Sequence, residues 1–424
     1  MVYRLAGFPV EPVRWEGLKK KLADRHTGTT GKLNIKEIPV NDPSIAQLNL
    51  PPGMIDFGVG QPSPALLPLA QLKKAAASRL DENDPSFLAY GANQGDGYFR
   101  AVLADYLHEH YHIPVDADQL LVTSGASMGL DLLCTLFARA GDTIFVEEPS
   151  YFLALRIFAD HRLKIISLPM DAGGLNIEAL EEKLIRHRPV LLYTIPTFHN
   201  PSSVTLGAER RKQLVELSRR HNFLIIADEV YHLLNYAKAP PPPPMAGYVD
   251  ADTIFSLGSF SKILAPGLRL GWIQTGPQLL KQIVDCGLLD SGGGLNPFTS
   301  ALVRSAIEMG LQQTQLATLL TTYTERKVAL SNALKEYLPE SVRFIEPDGG
   351  FFIWLVLPEG VDAEQMRVEA RQKNVGFLPG VKFSSAGKLE NCVRLSFSYF
   401  DVPELAEGVR RLAEVFKAFR NDEC

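Results

Sequence analysis

Between about residues 65 and 300 the chain alternates short, continuously apolar runs with amphipathic segments, and this limits its fold more than any other feature. The runs are "QLLVTS" (119–124), "DTIFVEE" (142–148), "KIISLP" (164–169), "VLLYTI" (190–195), "FLIIAD" (223–228), "TIFSLG" (253–258) and "LGWIQT" (270–275). A strand with one wet face alternates apolar and polar residues. Most of these runs do not, so their sheet must be covered on both faces. Between them, "GLDLLCTLFARAG" (129–141) and "GAERRKQLVELSRRHN" (207–222) repeat apolar residues at helical spacing. The expectation is an α/β fold with a mostly parallel, seven-stranded sheet between helices. The last two runs leave no room for a full crossover helix, which allows an antiparallel neighbour there.

After residue 300 the texture changes. A helix-rich stretch (298–337) leads to "GGFFIWLVL" (349–357), "NVGFLPG" (374–380) and "CVRLSFS" (392–398), then to a charged final helix. This predicts a large domain over 61–300, a smaller α+β domain over 301–424, and an N-terminal segment, 1–60, packing with the smaller one. A chain of 424 residues, 46% hydrophobic and 21% charged, can bury cores of that size. Pro240 to Pro244 cannot continue a helix or a central strand and predict an extended surface loop. The net charge of −5 argues against a nucleic-acid or membrane-surface partner, and no run is long enough to span a bilayer. The opening "MVYRLAGFPVEPVRWEGLKKK" has no apolar core of signal-peptide length. Cys134, Cys286, Cys392 and Cys424 are widely separated, so neither a disulfide framework nor a metal site is expected, and a cytoplasmic location is.

The chemistry-bearing residues gather where the runs end. Asp228 closes "FLIIAD", at the strand end where open α/β sheets bind ligands, and Tyr231 follows three residues later. Taken alone, the pair is explained more simply by a helix N-cap and a core-edge tyrosine. Asn200 precedes Pro201 in "IPTFHNPSS", which holds its amide on a rigid turn. Gly125, Ala126 and Ser127 open a helix whose free N–H groups suit a phosphate. In "SFSKILAPGLRLGW", Ser259, Ser261 and Arg269 supply hydroxyls and a planar cation around Lys262. In a desolvated, electropositive site such a lysine becomes a nucleophile.

Together these features resemble the class I/II aminotransferases, fold type I of the pyridoxal-phosphate enzymes, from "IDFGVGQPSP" (55–64) to "VRLSFS" (393–398). The spacing Ser-x-Ser-Lys-x-x-x-Pro-Gly-x-Arg-x-Gly is complete, and seven fixed positions arise by chance in about one start per billion. The resemblance implies that Lys262 forms a Schiff base with pyridoxal phosphate and that Asp228 pairs with its ring nitrogen. Asn200 and Tyr231 would hold its ring oxygen and Tyr151 would stack on it. Gly125, Ala126, Ser127, Ser259, Ser261 and Arg269 would hold its phosphate. Arg394 and Gly60 would meet the substrate, Arg394 through the α-carboxylate. Tyr90 would reach the phosphate of a neighbouring subunit, making a homodimer with shared active sites, and Asn296 in "SGGGLNPFTS" could approach it as well.

The implied activity is transamination between an L-amino acid and a 2-oxo acid, of aromatic, 2-aminoadipate or broad specificity. The alternative is a lyase, cyclase, decarboxylase or oxidase on the same fold. Transcription regulators of this fold carry a DNA-binding domain, and the first 50 residues lack its basic helix-turn-helix pattern. Two departures stand out. Ser203 occupies a position that is usually glycine, and His199 one that is commonly glutamine.

Overall fold

The computed structural model describes residues 50–421, and the expected packing of the N-terminal segment lies outside them as far as residue 49. All seven apolar runs enter one sheet. Its strands are β1 (Leu120–Thr123), β2 (Thr143–Glu148), β3 (Lys164–Asp171), β4 (Gly174–Leu175), β5 (Pro189–Thr194), β6 (Leu224–Asp228), β7 (Ile254–Ser259) and β8 (Gly271–Thr275). The order across the sheet is β1-β8-β7-β6-β5-β2-β3-β4. The pairs from β7 through β6, β5 and β2 to β3 are parallel. Strand β8 runs antiparallel to both β1 and β7, where the sequence left no room for a crossover helix. The sheet has eight strands rather than seven because β4 folds back antiparallel on β3. With two residues, β4 is too short to show a hydrophobic period.

The inward faces explain the unbroken apolar runs. Phe145, Leu192, Ile225 and Ile254 pack with Leu180 and Leu184 of one helix and Leu214 and Leu217 of another, Ala208–His221. Because the central strands are parallel, Glu148, Thr194, Asp228 and Ser259 all end at the same edge.

A second, antiparallel sheet holds β9 (Arg343–Phe344), β10 (Phe352–Val356), β11 (Leu378–Pro379) and β12 (Cys392–Ser396), in the order β9-β10-β12-β11. The helices Leu311–Tyr337 and Val402–Asn421 pack on each other beside it. Helix Leu311–Tyr337 bridges the two sheets: Gln312 donates to Ile263 O at 3.0 Å, and Arg326 to Ser398 O at 2.6 Å. Ile55–Asp56 pairs in parallel with Val375–Gly376, and Ser396 N donates to Phe57 O at 2.8 Å. Among the described residues no helix is long and apolar enough to cross a membrane.

The five prolines form the expected extended loop, exposed or half-buried from Pro240 to Pro243, but its far end is tied to the core. Pro244 is buried, and Pro243 O accepts from Arg211 Nη1 at 2.9 Å. Arg211 is fully buried and also donates to Leu206 O, Pro196 O and Thr197 Oγ1 at 2.8–2.9 Å. Its charge faces Glu229 at 3.8 Å, and Glu229 accepts from Met245 N, Ala246 N and Ser256 Oγ. A cation enclosed in this way draws carbonyls inward, and a proline segment offers carbonyls without competing N–H groups. Arg211→Met should therefore cost about 3–5 kcal/mol in urea unfolding, because Glu229 is left as an uncompensated buried charge. Adding Glu229→Gln should recover part of that loss.

Candidate active site

Asp228 ends β6 in the middle of the sheet and is 7% exposed. Its Oδ2 accepts from the Tyr193 hydroxyl at 2.8 Å, while its Oδ1 is buried without a partner. Burial pushes the carboxyl pKa up, against the lowering effects of the Tyr193 hydroxyl, the nearby Val230 backbone N–H and the Lys262 charge. Tyr193 lies on the adjacent strand β5 and is completely buried. Nothing in "VLLYTI" singles it out, since strand tyrosines are ordinary core residues. Only the register of Tyr193 against Ile226 brings it beside Asp228.

Lys262 follows β7, and its Nζ donates to Gly60 O at 3.1 Å. The ring centroids of Phe351 and Tyr231 lie 5.5 and 5.9 Å from it. Its side chain opens on a cavity yet is surrounded by protein, and its pKa is pushed down to about 8. Burial is the largest cause, the Arg394 and Arg269 charges add to it, and Asp228 opposes. The structure thus gives this lysine the environment that a nucleophilic amine requires.

Ser259 Oγ donates to Ser261 Oγ at 3.0 Å and accepts from Ser261 N at 3.1 Å. Arg269, at a left-handed φ of 47°, reaches Ser261 Oγ, Pro266 O and Ser124 O at 3.2–3.4 Å. Gly125 caps the helix Ala126–Phe137 at φ 87°. A Cβ there would lie 2.6 Å from Arg269 Nη2, so only glycine lets the guanidinium lie against the helix start. The result is a cradle of helix N–H groups, two hydroxyls and one cation. Asn296 donates to Arg269 O, so its amide supports that cradle from behind.

Arg394 lies on β12 and is 3% exposed. It donates to Asn200 Oδ1 at 2.9 Å and to Gly58 O at 3.0 Å, with its guanidinium 4.1 Å from the Phe352 ring and 5.0 Å from that of Phe383. Burial is the main cause that lowers its pKa to about 10. The Asn200 amide also hydrogen-bonds Tyr231, whose phenol burial pushes well above its ordinary pKa. Tyr151 opens the helix Phe152–Asp160 at the same cavity, and its phenol is pushed up to about 12, chiefly by burial.

A cavity of about 230 Å³ joins these groups. Gly60, Ala126, Ser127, Tyr151, Asn200, Asp228, Tyr231, Ser259, Ser261, Lys262 and Arg269 all line it. Gly125 and Arg394 sit one layer behind, each touching a lining residue. Tyr90 stands apart. It is 88% exposed, on a loop where Gly91 N donates to Gly293 O at 2.8 Å. Besides Tyr193, residue-by-residue reading misses Glu147. It is buried at the end of β2, accepts from Thr194 Oγ1 at 2.6 Å and Ile195 N at 2.9 Å, and lies 3.1 Å from His199 Nε2.

Known proteins resemble this chain in sequence and fold. The family described as aminotransferase class I and II matches residues 52–412. Aromatic-amino-acid aminotransferase 1 of Thermococcus litoralis is 34% identical over 375 residues, 86% of this chain and 88% of its own. The multiple substrate aminotransferase of Thermococcus profundus superposes with a TM-score of 0.82 at 34% identity, over 88% of this chain and 93% of its own. LysN, the α-aminoadipate aminotransferase of Thermus thermophilus, gives a TM-score of 0.80 at 31% identity over 87% and 94%, and its structure holds N-(5'-phosphopyridoxyl)-L-leucine. The chain belongs to the class I and II aminotransferases. It is a fold type I enzyme that depends on pyridoxal phosphate.

The residues present fit that cofactor. The unpartnered Asp228 Oδ1 suits a ring N–H, and the cradle that a Cβ at Gly125 would fill suits a phosphate. A pKa near 8 for Lys262 gives a pH test. The neutral amine is the nucleophile, so reloading of cofactor-free protein should speed up about tenfold per pH unit below 8 and level off above it. An unperturbed lysine would keep accelerating toward about 10.4. Arg394→Gln should move the midpoint upward by removing a cation that disfavours the charged amine. Stopped-flow absorbance reads both.

Proposed function

We propose that this site moves amino groups between L-amino acids and 2-oxo acids with the roles that follow. The observation that carries the reading is the unpartnered Asp228 Oδ1 in the cavity that Lys262 also lines. Pyridoxal phosphate supplies a ring that accepts the electron pair released when the amino acid loses its α-proton.

The protein's own groups do the rest. Tyr193 occupies one oxygen of Asp228 and leaves the other free, which would accept from the ring nitrogen. A cation there reverses the effect of burial and keeps the carboxylate ionised. Asn200 and Tyr231 hold the ring oxygen, and Tyr151 covers one face. Gly125, Ala126, Ser127, Ser259, Ser261 and Arg269 hold the phosphate. Lys262 would hold the cofactor covalently between turnovers, and its neutral amine, once free, would take the α-proton and deliver it to the carbon two bonds away. Arg394 and Gly60 form the substrate side, and Arg394 binds the α-carboxylate as a two-pronged donor.

The names of the similar proteins support aromatic and 2-aminoadipate-type donors, and the Phe352 and Phe383 rings beside Arg394 suit an apolar side chain. A homodimer with shared sites fits the exposure of Tyr90 beside the glycine-rich stretch, whose Gly293 would bring a Cβ to 2.8 Å of the Tyr90 Cβ. The same reading keeps a large domain at 61–300, a small one at 301–424, and a cytoplasmic location.

Single-turnover chemistry tests the reading. Phenylalanine or 2-aminoadipate should bleach the absorption of the loaded enzyme and yield one equivalent of 2-oxo acid, and 2-oxoglutarate should then restore it. Release of ammonia or carbon dioxide would point to elimination or decarboxylation instead. Lys262→Ala should lower turnover by about 10²–10⁴-fold while the cofactor still binds. Tyr90→Ala should weaken cofactor binding without changing the particle mass in light scattering.

A further inference from the structure

Ser203 sits at φ 63°, a left-handed conformation that favours glycine and that serine adopts only under constraint. It closes a tight turn, in which Ser203 N donates to His199 O at 2.6 Å and His199 N to Val204 O at 2.9 Å. The backbone alone gives no reason for a side chain here. The side chain supplies one, because Ser203 Oγ donates to Phe352 O at 2.5 Å, across 149 residues of sequence.

That carbonyl has no strand to serve it. Phe351 O already accepts from Phe397 N on the β12 side, and successive carbonyls of a strand point to opposite edges. On the other edge β9 reaches only Leu355 and Val356, so Phe352 lies beyond it. The Ser203 hydroxyl fills this gap. It thereby fixes the residue whose ring lies 4.1 Å from the Arg394 guanidinium. Asn200, three residues earlier in the same turn, accepts from Arg394 Nη1 at 2.9 Å.

We propose that Ser203 is a positioning residue for the substrate carboxylate. Its hydroxyl ties the Asn200 turn to the first residue of β10, so that Phe352 and Asn200 hold Arg394 from two sides at one fixed separation. The strained φ is retained because glycine would relieve it but lose the tie. This rests on the reading that Arg394 receives the carboxylate.

The test compares a carboxylate with its uncharged isostere on the loaded enzyme: dissociation constants for 3-phenylpropionate and 3-phenylpropanamide, measured by calorimetry. Ser203→Gly and Ser203→Ala should each cut the preference for the acid roughly three- to tenfold, the effect of one lost hydrogen bond. KM for the amino donor should rise to match, with kcat retained. Ser203→Gly should melt no lower than the parent, since its φ suits glycine, whereas Ser203→Ala keeps the strain and should melt lower. A shared loss of preference with opposite changes in Tm assigns the effect to the hydroxyl.

If both variants keep the parental preference and KM while Arg394→Gln abolishes the preference, Ser203 is a turn residue only and the proposal is wrong. If Arg394→Gln also leaves the preference intact, the carboxylate reading fails and this inference falls with it.

Discussion

Three buried carboxylates lie at the C-terminal ends of the central strands, and the difference between them organises the site. Glu147 has both oxygens occupied, by Thr194 Oγ1 and by Ile195 N. Glu229 accepts from Met245 N, Ala246 N and Ser256 Oγ, with the Arg211 charge nearby. Asp228, directly before Glu229, has one oxygen on Tyr193 and the other on nothing. A buried acceptor without a donor is costly, and the same few residues saturate two neighbouring carboxylates. Of the three, only Asp228 lines the cavity, so its free Oδ1 is the one open to a donor from outside the chain.

The saturated carboxylates set where the free one points. Glu229 and Arg211 anchor Pro196, Thr197 and Pro243, and so fix the approach to Asn200 from beneath. Glu147 holds Thr194 and Ile195 at the start of the same connection. The segment that carries Asn200 is thus held at several buried points before it reaches the cavity. Arg394 arrives from the other sheet, held by Asn200 and by Gly58 of the incoming chain. The site lies where two separately packed sheets meet, which is why no single stretch of sequence contains it.

Much of this was legible from residue order. The seven apolar runs, the antiparallel β8 and most of the polar residues at the cavity follow from strand ends and one spaced motif, while Gly60 and Tyr151 came only through the family resemblance. What escaped depends on register or on distance in sequence. Tyr193 meets Asp228 only because β5 and β6 pair at Tyr193 and Ile226. Arg211 looks like one more charge on a basic helix face, "AERRKQ", until the Pro240–Pro244 segment folds over it. The short β4 carries no periodicity, and Asn296 faces a carbonyl rather than the cavity because it starts its helix in a left-handed turn. Ser203 was visible only as an oddity; the bond that explains it spans both sheets.

The cations of the site show the converse of the carboxylates. Arg211 faces a buried glutamate, and Arg79 contacts Glu82 and Glu308. Lys262, Arg269 and Arg394 make no salt bridge among the described residues. Lys262 is held by Gly60 O and two aromatic rings, Arg269 by Ser261 Oγ and two carbonyls, and Arg394 by Asn200 Oδ1, Gly58 O and two rings. Every holding group is neutral, so it orients the charge without cancelling it. Three such charges close together repel one another, and this lowers the Lys262 pKa beyond the effect of burial. An anion placed among them relieves that repulsion. The cluster is unfavourable as it stands and favourable once filled, which is how a preorganised site converts strain within the protein into affinity for its ligands.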